Sequence, residues 1–129
     1  MEDPSQGDPR RYLKQLCANN TMNSLCVDCT KKKSTHVNTT FGTFICSECS
    51  STHGKVFGNV HVIRELFFKY WHVDMVNTCR LGGNAAFFEH MSAYKQEQAL
   101  IPKKYQSQAA TLYKNLLRKK VKGDNDDQD

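Results

Sequence analysis

Short β-branched runs between two Cys-x2-Cys pairs, with amphipathic helical stretches before and after, predict an α+β fold. The expected form is a small sheet of about three strands flanked by about five helices. The pairs are Cys26 with Cys29 and Cys46 with Cys49, with sixteen residues between them. Length and composition bound the rest. At 129 residues, 39% hydrophobic and 24% charged, the chain suits one ordinary domain with a modest core. The division expected is an N-terminal tail over 1–7, a domain over 8–122, and an acidic tail over 123–129 too polar to fold.

Taken in order, Asp8 can cap a first helix and Pro9 suits its first turn. Tyr12, Leu13, Leu16 and Cys17 give that helix one apolar stripe, and Asn19 and Asn20 can end it. Lys31 to Lys33 form a basic turn after the first cysteine pair. Thr35 to Thr40 suits a strand, Gly42 a turn, and Phe44 with Ile45 a returning strand. Cys49 to Lys55 suits a short helix and Val60 to Ile63 a third strand. Tyr70 to Arg80 has helical spacing and stops at Gly82 and Gly83. Asn84 is placed to cap the next helix, which carries Phe87, Phe88 and Met91. Pro102 marks a break. Tyr105, Ala109, Leu112, Tyr113, Leu116 and Leu117 then define a last helix, whose basic end, Arg118 to Lys122, complements its dipole.

No apolar run approaches the roughly 18 residues a membrane span needs. Met1 to Arg11 is polar and of mixed charge, unlike a secretory signal, so a reducing compartment is expected for the six cysteines. Residues 1–123 hold 18 basic and 9 acidic side chains, and this basic body suits an anionic partner or a solubilising surface.

Two Cys-x2-Cys pairs can wrap one metal in a closed tetrahedron, and zinc prefers four thiolates. With all four positions taken by Cys26, Cys29, Cys46 and Cys49, no site is left for water, so one structural zinc is expected. His53 and His61 are possible substitute ligands, with core or surface histidines the favoured reading. Cys17 and Cys79 read as small core residues, and Asp28 and Glu48 as groups that orient the knuckle backbone. No Ser-His-Asp set, phosphate loop or acid pair stands out, so the chain is not expected to carry an active site of its own.

The stretch from Cys26 to His53, CVDCTKKKSTHVNTTFGTFICSECSSTH, resembles the zinc finger of the ArfGAP domains. LGGNAAFFEH (Leu81 to His90) and KYQSQAATLYKNLL (Lys104 to Leu117) resemble that family's later helices, and Trp71 falls at its tryptophan position. The resemblance covers about residues 8–120. It implies a sheet around a four-cysteine zinc site, and a GTP-bound Arf small GTPase as partner in vesicle traffic. It also implies a cytoplasmic setting peripheral to Golgi or endosomal membranes, with possible contact to anionic lipid. The family supplies an arginine in trans to the nucleotide, a device worth roughly 10³–10⁵ in rate in GTPase systems. Here His53-Gly54-Lys55-Val56-Phe57 stands where the family has His-Arg-x-Leu-Gly, so Gly54 holds the arginine position. His36 replaces a family tryptophan and Lys69 an aspartate. His36, His53, Gly54, Lys55 and Arg64 are the expected partner-binding residues. Three readings remain open: a divergent activator using Lys55 or a residue of Arf, an Arf-binding adaptor without activation, and a nucleic-acid finger. The last is disfavoured, because Ser50 to Asn59 lacks the basic helix a groove requires.

Overall fold

A computed structural model describes residues 7–126. Of the expected N-terminal tail only Gly7 lies within them. The order is α1 (Pro9–Ala18), α2 (Thr21–Ser24), β1 (His36–Asn38), β2 (Thr43–Ile45), α3 (Ser47–Phe57), β3 (Ile63–Glu65), α4 (Val73–Leu81), α5 (Asn84–Ala93), α6 (Ile101–Tyr105) and α7 (Gln108–Asp126). Among the described residues there are therefore three strands and seven helices. The two beyond expectation, α2 and α6, are four and five residues long.

The sheet runs β2-β1-β3 and is antiparallel throughout. Val37 pairs with Phe44 and His36 with Ile45, so alternate residues face opposite ways. Val37 and Phe44 enter a core with Tyr12, Leu13, Trp71, Val76 and Cys79 from α1, α4 and the loop before α4. Ile45 enters a second core with Phe41, Phe57, Phe87, Met91, Tyr105, Tyr113 and Leu117. The sheet is thus covered on both faces. Gly42, at φ +65°, carries the β1–β2 turn against α4, where a Cβ would meet the Thr78 carbonyl oxygen at 2.3 Å.

Several expectations are corrected. The third strand is Ile63–Glu65, because Gly58, at φ +53°, opens a 3-10 turn over Gly58–Val60. The fourth helix begins at Val73, after the buried Trp71. Gly83 rather than Asn84 is the cap residue of α5. The Asn84 side chain instead accepts from Phe44 N at 2.7 Å and donates to the Met22, Leu25 and Phe44 carbonyls. It joins α5 to β2 and α2. Pro102 lies in the first turn of α6, where its missing N–H costs no hydrogen bond. Tyr105 belongs to α6, not the last helix. α7 continues through Gly123 to Asp126, past the expected start of the tail, and residues 127–129 lie outside the described residues. Its basic run therefore sits inside the helix and does not cap its end.

Candidate metal centre

The first cysteine pair rides on a tight knuckle. Leu25 bridges to Lys33, Cys26 N–H donates to Lys32 O at 2.8 Å, and Thr30 N–H donates to Cys26 O at 2.8 Å. The second pair opens α3, with Cys46 as its cap residue and the Cys49 N–H directed at Cys46 Sγ (3.4 Å). Val27 N–H donates to Phe44 O at 3.0 Å and holds the knuckle against β2. The four Sγ atoms lie within 4.8 Å of one another, and Cys29 Sγ and Cys46 Sγ are 3.9 Å apart. A regular tetrahedron with metal–sulfur bonds of about 2.3 Å places its sulfurs about 3.8 Å apart, so the four fit one metal ion.

The electrostatics agree. Burial raises the Cys26 thiol to about 11, and burial with the neighbouring Cys26 raises Cys49. Burial also works to raise Cys29, but the Lys31 and Lys32 N–H groups bring it down to about 7. Thiolates this close oppose one another's ionisation, and a bound cation removes that conflict.

Behind the cysteines lies a buried polar network. Asp28 Oδ1 accepts from Lys104 Nζ at 3.0 Å and from Tyr105 OH at 2.8 Å, and Oδ2 lies 2.7 Å from His53 Nε2. Asp28, Lys104 and His53 side chains are at most 2% exposed. The Asn38 amide nitrogen lies 3.2 Å from both His53 Nδ1 and His61 Nδ1, while its oxygen accepts from Thr40 N. That nitrogen only donates, so both Nδ1 atoms accept and each ring carries its proton on Nε2. His53 therefore donates to Asp28. Burial works to raise the Asp28 carboxyl, but the His53 hydrogen bond and the Lys104 charge outweigh it and hold it low. Asp28 is thus the hub of the network rather than a backbone-orienting group. Glu48 instead pairs with Lys32 at the surface.

Of the expected partner-binding residues, His53 is fully buried and points into this network, which corrects its assignment to the surface. Gly54 and Lys55, next on α3, are exposed. A Cβ at Gly54 would meet nothing within 4 Å. His36 and Arg64 are half-buried on the neighbouring strands β1 and β3. His36 approaches Thr35 Oγ1 and Glu65, and Arg64 lies 5.1 Å from the Phe68 ring. Beyond Arg64, Phe67, Phe68 and Tyr70 are 62%, 39% and 78% exposed. Sequence reasoning named Asp28 only as a backbone-orienting group and Tyr105 only as part of an apolar stripe, and it gave Lys104 no role of its own. The signal available was an acid inside a Cys-x2-Cys pair and a Lys-Tyr step before the last helix.

A family model described as "Putative GTPase activating protein for Arf" matches residues 10–125. The protein named "ADP-ribosylation factor GTPase-activating protein 3" of Rattus norvegicus is 32% identical over 123 residues, 92% of this chain and 22% of the relative. Its Bos taurus counterpart is 30% identical over 123 residues, 92% of this chain and 23% of the relative. The chain spans about a fifth of the length of these relatives. A "putative GTPase activating protein for ADP ribosylation factor" from Cryptosporidium parvum superposes with a TM-score of 0.75 at 23% identity, over 88% of this chain and 91% of that one. The "ArfGap domain of HIV-1 Rev binding protein" superposes with a TM-score of 0.55 at 20% identity, over 84% of this chain and 81% of that one.

Proposed function

The chain belongs to the ArfGap family, and from that premise we propose that it engages an Arf-family small GTPase in its GTP-bound form and stimulates hydrolysis weakly. The observation that carries this reading is the family match over residues 10–125, which spans the cysteine site and the surface beside it. We propose zinc as the metal, held by Cys26, Cys29, Cys46 and Cys49, because four thiolates form a soft, closed donor set. The metal's role is to hold the knuckle and the start of α3. His53 anchors α3 inward through Asp28. The next two residues, Gly54 and Lys55, then face outward, and the exposed Phe67, Phe68 and Tyr70 extend the partner surface beyond Arg64.

Weak stimulation follows from Gly54, which has no side chain to place a charge on the transferred phosphoryl group. Losing a contribution of 10³–10⁵ forfeits roughly 4–7 kcal/mol of barrier lowering. Lys55 is a poorer substitute, a point charge without the planar guanidinium fork. An Arf-binding adaptor with no stimulation is the second reading, favoured by the bare, exposed Gly54. The setting proposed is the cytoplasmic face of Golgi or endosomal membranes, where such a GTPase would recruit the chain. The basic body is compatible with anionic lipid there.

Single-turnover hydrolysis of Arf-bound GTP tests the reading. The expected result is slow stimulation by the wild type and faster hydrolysis with Gly54→Arg, which the open space at Gly54 accommodates. Wild-type stimulation equal to that of an arginine-bearing relative would overturn it and make Lys55→Ala the next variant.

A further inference from the structure

Away from the metal centre, α7 forms one wall of an open cleft of about 490 Å³. Lys114, Arg118 and Lys122 line that wall at successive turns, and Thr40 and Thr78 line it from the β1–β2 turn and α4. Eight residues of helix span about 12 Å, so the three cations form a row longer than one phosphate group. Lys114 is half-buried. Among the described residues no carboxylate pairs with Lys114, Arg118 or Lys122. A half-buried ammonium without a counter-ion is unfavourable and calls for an anion. Thr40 Oγ1 accepts from Val62 N at 3.3 Å, which leaves its own O–H to donate. Lys114 also acts behind the wall: after burial and His53, its charge helps hold His61 down to about 4. Among the described residues Asp74 is the one carboxylate lining the cleft, on α4 and 3.8 Å from His72. It directs an anion toward the α7 side.

We propose that this cleft binds a small, multiply phosphorylated anion, with Lys114, Arg118 and Lys122 on its phosphates and the Thr40 hydroxyl as a neutral donor. The chemistry is shared by a free inositol polyphosphate and by a phosphoinositide headgroup. The site is independent of the GTPase reading, and its test needs no GTPase.

The test titrates the whole chain with inositol hexakisphosphate by calorimetry at physiological ionic strength. Saturable one-to-one binding is expected. Lys114→Met with Arg118→Gln should weaken it at least tenfold. Lys31→Gln with Lys119→Gln, which removes the same charge outside the cleft, should weaken it less than twofold. If the first pair fails to fold, Arg118→Gln with Lys122→Gln, both at exposed positions, replaces it. Equal weakening by the cleft pair and the control pair, or no saturable binding, overturns the proposal. A vesicle arm separates the sources. Co-sedimentation with bisphosphorylated inositol lipid, reversed by free inositol hexakisphosphate and absent on phosphatidylserine of equal charge, supports the cleft with a lipid ligand. No sedimentation beside intact one-to-one titration supports it with a soluble ligand. Sedimentation equal on both vesicles and unchanged in the cleft pair overturns the lipid arm of the site.

Discussion

Asp28 sits between two metal-site cysteines, yet its carboxylate is used on Lys104, Tyr105 and His53. Removing one partner of a buried pair strands the other, at a typical cost of 3–5 kcal/mol. Asp28→Asn should therefore lower stability by about that much in denaturant melts of the metal-loaded chain. Adding Lys104→Met should recover part of the loss, since the stranded ammonium is then gone; no recovery would place the damage at the knuckle itself. His61 supplies a pH test. Burial, with the neighbouring His53 and the Lys114 charge, depresses its folded pKa to about 4, against an ordinary value of 6.5. The unfolded chain then binds more protons between those values. The stabilisation is complete above pH 6.5 and is lost as pH falls toward 4. It amounts to a few kcal/mol at most, at about 1.4 kcal/mol per unit. Melts from pH 7 to 4.5 should fall less steeply for His61→Gln than for wild type, and parallel slopes would assign the acid loss elsewhere. The cysteine cluster was legible because residue type and spacing are local. The Lys104–Asp28 bond was not, because it joins residues 76 apart and burial of a lysine leaves no periodic trace.

The helices were readable wherever an apolar stripe or a cap lies within one element. Asp8 accepts from Arg10 N at the start of α1, and Tyr12, Leu13 and Cys17 are buried, as the stripe implies. The third strand was misplaced because Val60, Val62 and Ile63 are β-branched yet strand pairing is set by β1, whose Asn38 faces Ile63. The last helix shows the limit of a stripe. Leu116 and Leu117 belong to the same pattern, but Leu116 is 45% exposed and Leu117 is 3% exposed. Leu117 packs in the core with Tyr113, Phe87 and Met91. Leu117→Ala should cost about 2–5 kcal/mol, the usual range for a buried leucine. Leu116→Ala should cost under about 1 kcal/mol, as surface changes do. Denaturant midpoints of the two variants check this, and equal losses would mean that both leucines are covered in solution.

At the scale of the molecule, the two cores lie on opposite faces of one sheet. Only one of them includes the metal-site cysteines, Cys26 and Cys46, with Cys29 and Cys49 packed against it. The other contains Trp71, the chain's single tryptophan, 8% exposed. The α+β class was legible because the cysteine pairs bracket two of the three strands, β1 and β2. The two-sided burial of the sheet was not, since three-residue strands are too short to display alternation. Metal binding in finger peptides is worth about 10–16 kcal/mol, while whole domains have only about 5–15 kcal/mol of stability. Removal of the metal should therefore do more than loosen the knuckle. Cys46 follows β2 directly and caps α3, and Asp28 ties the knuckle to α6, so the sheet and α6 lose their anchor together. Val37 and Phe44 then leave the core they share with Trp71, and Trp71 loses its cover. Chelation should shift Trp71 emission to the red in the same transition that lowers the far-ultraviolet helical signal. Cys26→Ser should reproduce both changes, and added zinc should reverse them in the wild type alone. Elemental analysis of the folded chain should give one zinc. Loss of helical signal with Trp71 emission unchanged would instead mean that the α1–α4 core stands without the metal.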